Sequence, residues 1–153
     1  MIRVRALAPA DHAYVVARVD DWWGGRPMAA MLPRLFFDHF PATSLAAMEG
    51  ESGGGDGRLV GVLCGFVSQR DPDEAYIHFV GVDPEARASG VGRRLYEAFF
   101  ERVRALGCTT VGCVTSPVNT GSIAFHHRMG FASTVVEAYD GRGGDRVVFS
   151  RPL

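Results

Sequence analysis

The stretch RASGVG, from Arg87 to Gly92, separates a segment with the alternating pattern of a strand from a segment with the apolar repeat of a helix. Gly90 and Gly92 enclose one small apolar residue, and glycines at a strand-to-helix junction let the backbone approach an anion closely. Arg87, Arg93 and Arg94 add positive charge at the same junction. The stretch therefore predicts an anion-binding loop, and the rest of the sequence is needed to identify the anion.

Common nucleotide-binding motifs do not explain this loop. A phosphate-binding NTPase loop requires GxxxxGK[ST], and the chain contains no lysine. A dinucleotide fingerprint requires GxGxxG with an acidic residue about 20 positions later. Position 95 is Leu instead, and the region around Thr109 and Thr110 carries no acid. A nucleotide-binding regulator is therefore disfavoured.

Composition narrows the class of protein. The chain has 153 residues, of which 47% are hydrophobic and 22% charged, and this predicts one soluble globular domain over residues 1–153. The formal net charge of −1 argues against a nucleic-acid partner. No apolar run approaches the ~20 residues of a membrane helix, so no membrane association is expected. Cys64, Cys108 and Cys113 form no CxxC pair, which favours buried reduced thiols in a cytoplasmic protein.

The hydrophobic pattern predicts a mixed α/β domain with one sheet, in the order β-αα-βββ-α-β-α-ββ. The sheet is expected to be antiparallel at first, with a parallel step around the glycine loop. The strand candidates are IRVRAL, TSLAAME, RLVGVLCGFVSQ, EAYIHFVGV, TTVGCVT, FASTVVEAY and DRVVFSRP. The helix candidates run from Pro9 to the glycines of DDWWGGRP, through MAAMLPRLFFDHF with a bend at Pro33, from Val91 to Leu106, and from a cap at Asn119 or Thr120 to Met129. GESGGGDG is predicted to be a hairpin tip.

Two spaced sequence blocks resemble the GCN5-related N-acetyltransferase (GNAT) superfamily. The first is [Arg/Gln]xxGxG after the strand-like VGVDP, which here is RASGVG. The second is NTGSIAFHHRMGF, in which Asn119, Ser122, Phe125 and Gly130-Phe131 match a later segment of the family at the expected distance. The element order also resembles that fold, so the resemblance covers nearly the whole chain. It implies an acetyl-CoA-dependent N-acetyltransferase, in which the anion is the pyrophosphate of coenzyme A.

The resemblance implies a cofactor site along the fourth strand and the glycine loop. In this family that strand diverges from its neighbour, and its backbone pairs with the pantetheine arm like an added strand. The amide of Val80 would polarise the thioester carbonyl, and Asn119 would contact the pantetheine, or only cap the helix that follows. The implied cofactor-binding residues are Phe79, Val80, Gly81, Val82, Arg87, Ala88, Ser89, Gly90, Val91, Gly92, Arg93, Asn119, Ser122 and Phe125.

The implied reaction is direct attack of a primary amine on the acetyl thioester, with no covalent enzyme intermediate and no metal. Many relatives have a tyrosine four residues before the position of Gly130, suited to protonate the thiolate. This chain has His126 there, as phosphinothricin-type enzymes do. His126 either acts as that acid or only forms a hydrogen bond near the sulfur. The three cysteines are expected to be inert.

The general base is sought on the strand that would pair with the cofactor. Tyr76 and His78 are two residues apart and therefore lie on one face. Histone-type relatives have a glutamate at the position of Tyr76, and serotonin N-acetyltransferase-like members have histidines at both positions. His78 is the candidate base, directly or through water, with a core histidine bonded to backbone as the alternative. Tyr76 is a second catalytic candidate, and Glu74 is a weaker choice of base.

The acceptor pocket of this family is formed by the first two helices, their connection and the last strands. Trp22 and Trp23 are adjacent, so one is expected in the core and the other in the pocket. Acidic residues beside them could attract a cationic amine, or form only a solvated helix end. The implied substrate-binding residues are Asp21, Trp22, Trp23, Phe36 and Tyr139, with Asp20, Phe37 and His39 nearby.

The expected partner is a small-molecule or peptide amine, and a homodimer through the last strands is common for this fold. A non-catalytic acyl-CoA sensor of the same fold is the alternative function, and the histidine at position 126 supports it. The sequence does not identify the acceptor.

Overall fold

The computed structural model describes residues 1–50 and 57–153, and these residues form seven strands, five α-helices and two short 3-10 helices. The strands are β1 (Ile2–Ala6), β2 (Leu45–Glu49), β3 (Arg58–Val67), β4 (Glu74–Val82), β5 (Thr110–Thr115), β6 (Ala132–Val136) and β7 (Arg146–Pro152). The α-helices are α1 (Asp11–Val16), α2 (Val19–Trp22), α3 (Leu35–His39), α4 (Val91–Ala105) and α5 (Thr120–Arg128). Most of the predicted hairpin tip GESGGGDG, residues 51–56, lies outside the described residues.

The seven strands form a mixed sheet in the order β1-β2-β3-β4-β5-β7-β6. Every neighbouring pair is antiparallel except β4 and β5, which are parallel. The connection between these two strands runs through the glycine loop and α4, because parallel neighbours require a crossover. The predicted fold class and the parallel step at this loop are therefore confirmed.

The helical region between β1 and β2 differs from the sequence prediction. Two helices are predicted there, and the structure has α1, α2, a 3-10 helix at Ala29–Met31 and α3. Pro33 separates the last two instead of bending one helix. A proline disfavours helical geometry in the residue before it, and Leu32 has φ −117° and ψ 63°.

β4 and β5 diverge after a short paired region. Their register runs only from Glu74 opposite Thr110 to Tyr76 opposite Gly112, although β4 continues to Val82. The carboxyl ends of the two strands therefore enclose a wedge, with the start of α4 beside one strand and the start of α5 beside the other. This is the divergence that the family resemblance implies.

A β-bulge lies in β4 at the start of this wedge. Cys64 of β3 is opposite Phe79, but the next residue, Gly65, is opposite Ile77, so His78 is the extra residue. The bulge reverses the alternation: Ile77 packs in the core below α4, whereas Phe79 packs in the core next to α1–α3. His78 stacks on Phe36 of α3, so it faces the same side as Phe79.

The sheet separates two hydrophobic cores. Leu95, Phe99 and Val103 of α4 are fully buried against one face, at the helical spacing that the sequence shows. Val15, Val19 and Phe37 from the first three helices are buried against the other face. Within the described parts of the chain, no helix is both long enough and apolar enough to span a membrane.

Candidate active site

The glycine loop turns the chain from β4 into α4 through a 3-10 helix at Pro84–Ser89. The Asp83 carboxylate accepts a hydrogen bond from the Glu85 amide at 3.0 Å and caps this short helix. Gly90 follows with φ 72° and ψ 29°, a left-handed conformation that costs glycine little and other residues more. A glycine is therefore favoured at the turn that starts α4.

Free backbone donors lie at the first turn of α4. The Arg94 amide donates to the Gly90 carbonyl at 3.0 Å, which is the first hydrogen bond of the helix. The amides of Val91, Gly92 and Arg93 come before it and have no carbonyl within the helix to bond. The Gly90 amide is already bonded to the Arg87 carbonyl at 3.2 Å. Within the predicted loop, an anion would therefore meet donors at residues 91–93, where the helix dipole is also favourable.

The arginines of the loop have protein partners. Arg87 donates from its guanidinium to the Trp22 carbonyl at the end of α2. Arg93 pairs with Glu97 at 2.9 Å, and Arg94 donates to the Ile2 carbonyl of β1 at 3.2 Å. The guanidinium of Arg87 thus ties the glycine loop to the end of α2, on the face of the sheet opposite α4.

The backbone of β4 has open polar groups along the wedge. The Asp83 amide donates to the Val60 carbonyl at 2.8 Å, so these two residues form a hydrogen-bonded pair. Such pairs alternate with non-hydrogen-bonded pairs in an antiparallel ladder. Val82 and Val80 therefore direct their amides and carbonyls away from β3, into the space that β5 has left.

The start of α5 forms the other wall of the wedge. The Asn119 side chain accepts from the Ser122 amide at 3.3 Å and donates to the Thr115 hydroxyl at 3.3 Å, so it caps α5 and ties it to β5. Phe125 packs toward the first turn of α4, where a Cβ on Gly92 would lie 3.6 Å from its ring. The second sequence block is therefore adjacent to the glycine loop.

His126 lies inside a buried aromatic cluster. Its Nδ1 is 2.7 Å from the Ser122 carbonyl, which can only accept, so Nδ1 carries the hydrogen. Its Nε2 is 2.7 Å from the Tyr96 hydroxyl, which then donates to it, and the ring stacks on Phe149 at 4.3 Å. Burial lowers the pKa of His126, against a weaker opposite effect of the Ser122 carbonyl. The imidazole is therefore neutral with both nitrogens engaged.

Tyr76 and His78 lie on the same face of β4, as predicted. The Tyr76 ring packs on Phe66 at 5.4 Å, and His78 stacks on Phe36 at 4.8 Å with an interplanar angle of 11°. Burial is the main cause that raises the pKa of Tyr76 to about 12, with smaller electrostatic contributions from neighbouring ionisable groups, so its hydroxyl keeps its proton. The two side chains share an aromatic surface with α3.

The tautomer of His78 is set by a carbonyl. Its Nε2 is 2.8 Å from the Met31 carbonyl, which can only accept, so Nε2 carries the hydrogen. The lone pair of the neutral imidazole is then on Nδ1. His78 is bonded to backbone, as one prediction has it, and its Nδ1 has no hydrogen-bond partner among the described residues.

The predicted acceptor residues occupy different environments. Trp22 is buried, and Trp23 is half-buried with its ring 5.6 Å from Phe79. Asp20 accepts hydrogen bonds from the Met28 and Ala29 amides at 2.8 and 2.9 Å, so it holds the following 3-10 helix.

The remaining acceptor candidates lie closer to solvent. Asp21 and His39 are exposed, and Tyr139 is 47% exposed between β6 and β7. Tyr139 is near enough to Tyr76 to contribute to the raised pKa of that hydroxyl. Phe36 and Phe37 are both buried, Phe36 below His78.

The three thiols are buried and unpaired. Burial raises the pKa of Cys64 and of Cys113 to about 12, and that of Cys108 in the same direction. Within residues 1–50 and 57–153, no cluster of three or more His, Cys, Asp or Glu side chains is placed to hold a metal ion.

Three features of the site are not evident from the sequence. The Tyr96 hydroxyl bonds to a histidine thirty positions away, and Arg87 bonds to a carbonyl sixty-five positions away. Phe66 forms part of the aromatic surface, although its strand reads only as an apolar run. Of these three features, the sequence gives a signal only for the first: Tyr96 lies on the apolar face of its helix, and a buried tyrosine hydroxyl needs a hydrogen-bond partner.

Comparison with known proteins agrees with this geometry. The sequence profile of the acetyltransferase (GNAT) family matches residues 10–131. An L-2,4-diaminobutyric acid acetyltransferase of Nocardia farcinica is 34% identical over 85 residues, which are 56% of this chain and 41% of that protein. A mycothiol acetyltransferase of Gordonia bronchialis is 26% identical over 151 residues, 92% of this chain and 47% of that protein. The chain thus spans less than half the length of both curated relatives.

A solved structure shows the same fold. It is the diaminobutyrate acetyltransferase of Paenibacillus lautus, in complex with its substrate L-2,4-diaminobutyric acid and coenzyme A. It superposes with a TM-score of 0.73 at 21% identity, covering 98% of this chain and 93% of that one.

Proposed function

The chain belongs to the acetyltransferase (GNAT) family, and from that premise we propose that it transfers an acetyl group from acetyl-CoA directly to a primary amine of a small molecule or peptide. The observation that carries the proposal is the wedge between β4 and β5, where the unpaired backbone groups of Val80 lie close in sequence to His78. It provides a place for a thioester next to a candidate base.

The residues present fit acetyl-CoA, which supplies an activated acetyl thioester when bound. The amides of Val91, Gly92 and Arg93 would bind the diphosphate at the start of α4. The open backbone groups of Val80 and Val82 would pair with the amide-containing arm, as an added strand does. The Val80 amide would stabilise negative charge that develops on the carbonyl oxygen. Asn119, Ser122 and Phe125 would support this site from α5.

His78 is the base in this proposal, and Nδ1 is the atom that accepts the proton. The Met31 carbonyl fixes the tautomer and the Phe36 ring fixes the plane of the imidazole, so the lone pair has one orientation. A side chain held in this way loses little entropy when it takes a proton from the incoming ammonium. Tyr76 contributes a neutral hydroxyl on the same face.

We propose that His126 positions α5. This role differs from both predicted ones, protonation of the thiolate and a hydrogen bond near the sulfur. A neutral imidazole that donates to Ser122 and accepts from Tyr96 has no spare proton to give. The three protonated thiols support a reaction without a covalent intermediate, and as reduced thiols they are consistent with the cytoplasmic location that we propose. A homodimer remains a prediction.

A non-catalytic acyl-CoA sensor is the second candidate, because the engaged His126 stands where relatives have an acid. The test is acetyl-CoA turnover over a panel of amines, combined with calorimetric binding of acetyl-CoA. His78→Ala should lower turnover at least a hundredfold and leave acetyl-CoA affinity within about twofold. His127→Ala is the matched control, because His127 is exposed and, among the described residues, its one side-chain hydrogen bond is to Ser133. Binding without turnover of any amine by the unmodified protein would favour the sensor.

A further inference from the structure

Glu74, Tyr76 and His78 form a row along β4, which we call the acceptor row. Alternation places Glu74 and Tyr76 on one face, and the ring contacts place Tyr76 and His78 on that same face. A strand rises about 3.3 Å per residue, so the two ends of the row are on the order of 13 Å apart along the strand. The row is therefore long enough for an extended small molecule.

Glu74 has a fixed backbone, and its carboxylate pairs with no cation among the described residues. Its backbone is fixed at both ends, since the Glu74 amide donates to Asp71 and its carbonyl accepts from Ser68, each at 2.9 Å. The carboxylate lies across β5, where a Cβ on Gly112 would be only 3.0 Å from its Oε1. Among the residues that the structure describes, no side chain forms a hydrogen bond or ion pair with it. A half-buried carboxylate of this kind is a binding partner for a cation from outside the protein.

Two carboxylates, those of Glu74 and Asp140, lie near Tyr76. Both carboxylates disfavour ionisation of the Tyr76 hydroxyl. Asp140 is paired with Arg146 at 3.0 Å, so Glu74 is the carboxylate of this group that has no partner in the described chain. The Tyr76 hydroxyl likewise forms no hydrogen bond with any described residue, and its ring separates Glu74 from His78.

We infer that the acceptor carries two amino groups joined by an aliphatic chain. The Glu74 carboxylate holds the distal ammonium, the Tyr76 ring covers the methylene groups, and His78 faces the amine that reacts. Carboxylates and aromatic faces both attract ammonium groups, so the row favours a diamine over a monoamine of equal length. This inference rests on the proposed function and names its class of acceptor.

The test compares kcat/KM for diaminopentane and for pentylamine, which has the same carbon chain and lacks the second amine. A charge-assisted hydrogen bond predicts a preference for the diamine of about tenfold to a hundredfold, beyond the factor of two from its two amines. Glu74→Gln should remove most of that preference by slowing the diamine much more than pentylamine. Gly112→Ala, which displaces the carboxylate, should reduce the same ratio.

Glu137→Gln is the matched control, because Glu137 is exposed after β6, and it should keep the preference. Equal rates for both amines in the unmodified protein would overturn the inference, as would a preference that survives Glu74→Gln. An equal loss with both amines in Glu74→Gln would place Glu74 in proton transfer and also overturn it. Turnover of no amine at all would refute the proposed function itself, and this inference would fall with it.

Discussion

Tyr96→Phe removes one hydroxyl from the buried cluster around His126 and leaves the ring in place. Tyr96 is 2% exposed, and its hydroxyl donates to His126 Nε2 at 2.7 Å. Among the described residues, no buried side-chain polar atom lacks a partner, so the substitution would create the first. Tyr and Phe have similar helix propensities, so α4 itself should be unaffected. The unsatisfied nitrogen should lower the free energy of unfolding by about 1–3 kcal/mol.

Urea unfolding followed by circular dichroism at pH 7.5 measures this difference. The midpoint should fall while the m-value stays constant, because the surface exposed on unfolding is the same. Tyr139→Phe is the control, since Tyr139 is 47% exposed and a surface change of this kind stays within about 0.5 kcal/mol. If Tyr96→Phe is no less stable than Tyr139→Phe, then the hydrogen bond to His126 does not contribute to stability and the neutral state assigned to His126 loses its support.

Three further predictions concern pH, the glycine loop and the acceptor side. Burial lowers the pKa of His126 in the folded protein, so this side chain binds a proton more readily in the unfolded chain. The neutral His126 should therefore contribute fully to stability above its ordinary pKa of 6.5, and this contribution should be lost as the pH falls below that value. The slope should reach at most ~1.4 kcal/mol per pH unit in chemical unfolding, and His126→Leu should flatten it. Gly90 has φ 72°, so Gly90→Ala should cost about 1 kcal/mol of stability and weaken acetyl-CoA binding in calorimetry. Gly121→Ala is the control and should do neither, because a Cβ on Gly121 would meet no atom within 4 Å. Asp20→Ala should release the two amides it holds and raise KM for the amine more than KM for acetyl-CoA in steady-state kinetics; equal rises would contradict this.

Local signals explain how much of the fold the sequence predicts. The strand predicted for EAYIHFVGV has the same first and last residues as β4. Its apolar pattern lies between turn residues, and these turn residues specify where the strand begins and ends. Of the two predicted caps of α5, Asn119 and Thr120, the structure has Asn119, whose side chain accepts from an amide three residues later. Such features depend on neighbours within a few positions, and the sequence contains all of them.

Other features depend on tertiary contacts that no local pattern contains. Alternation places Ile77 and Phe79 on one face of β4, but the bulge at His78 puts them in different cores. Sequence spacing also does not show that the imidazole of His126 is turned toward Tyr96 and Phe149. The bond from Arg87 to the Trp22 carbonyl joins two segments that only the folded chain brings together.

The central claim is that acetyl-CoA binds with its diphosphate at the first turn of α4 and its thioester arm along the carboxyl end of β4. Amide NMR of the full chain during titration with coenzyme A tests it most directly. The largest shifts should fall on the amides of Val80, Val82, Val91, Gly92 and Arg93, while those of β1 stay in place. A natively folded protein whose amides do not respond, or respond only away from the wedge, would contradict the account.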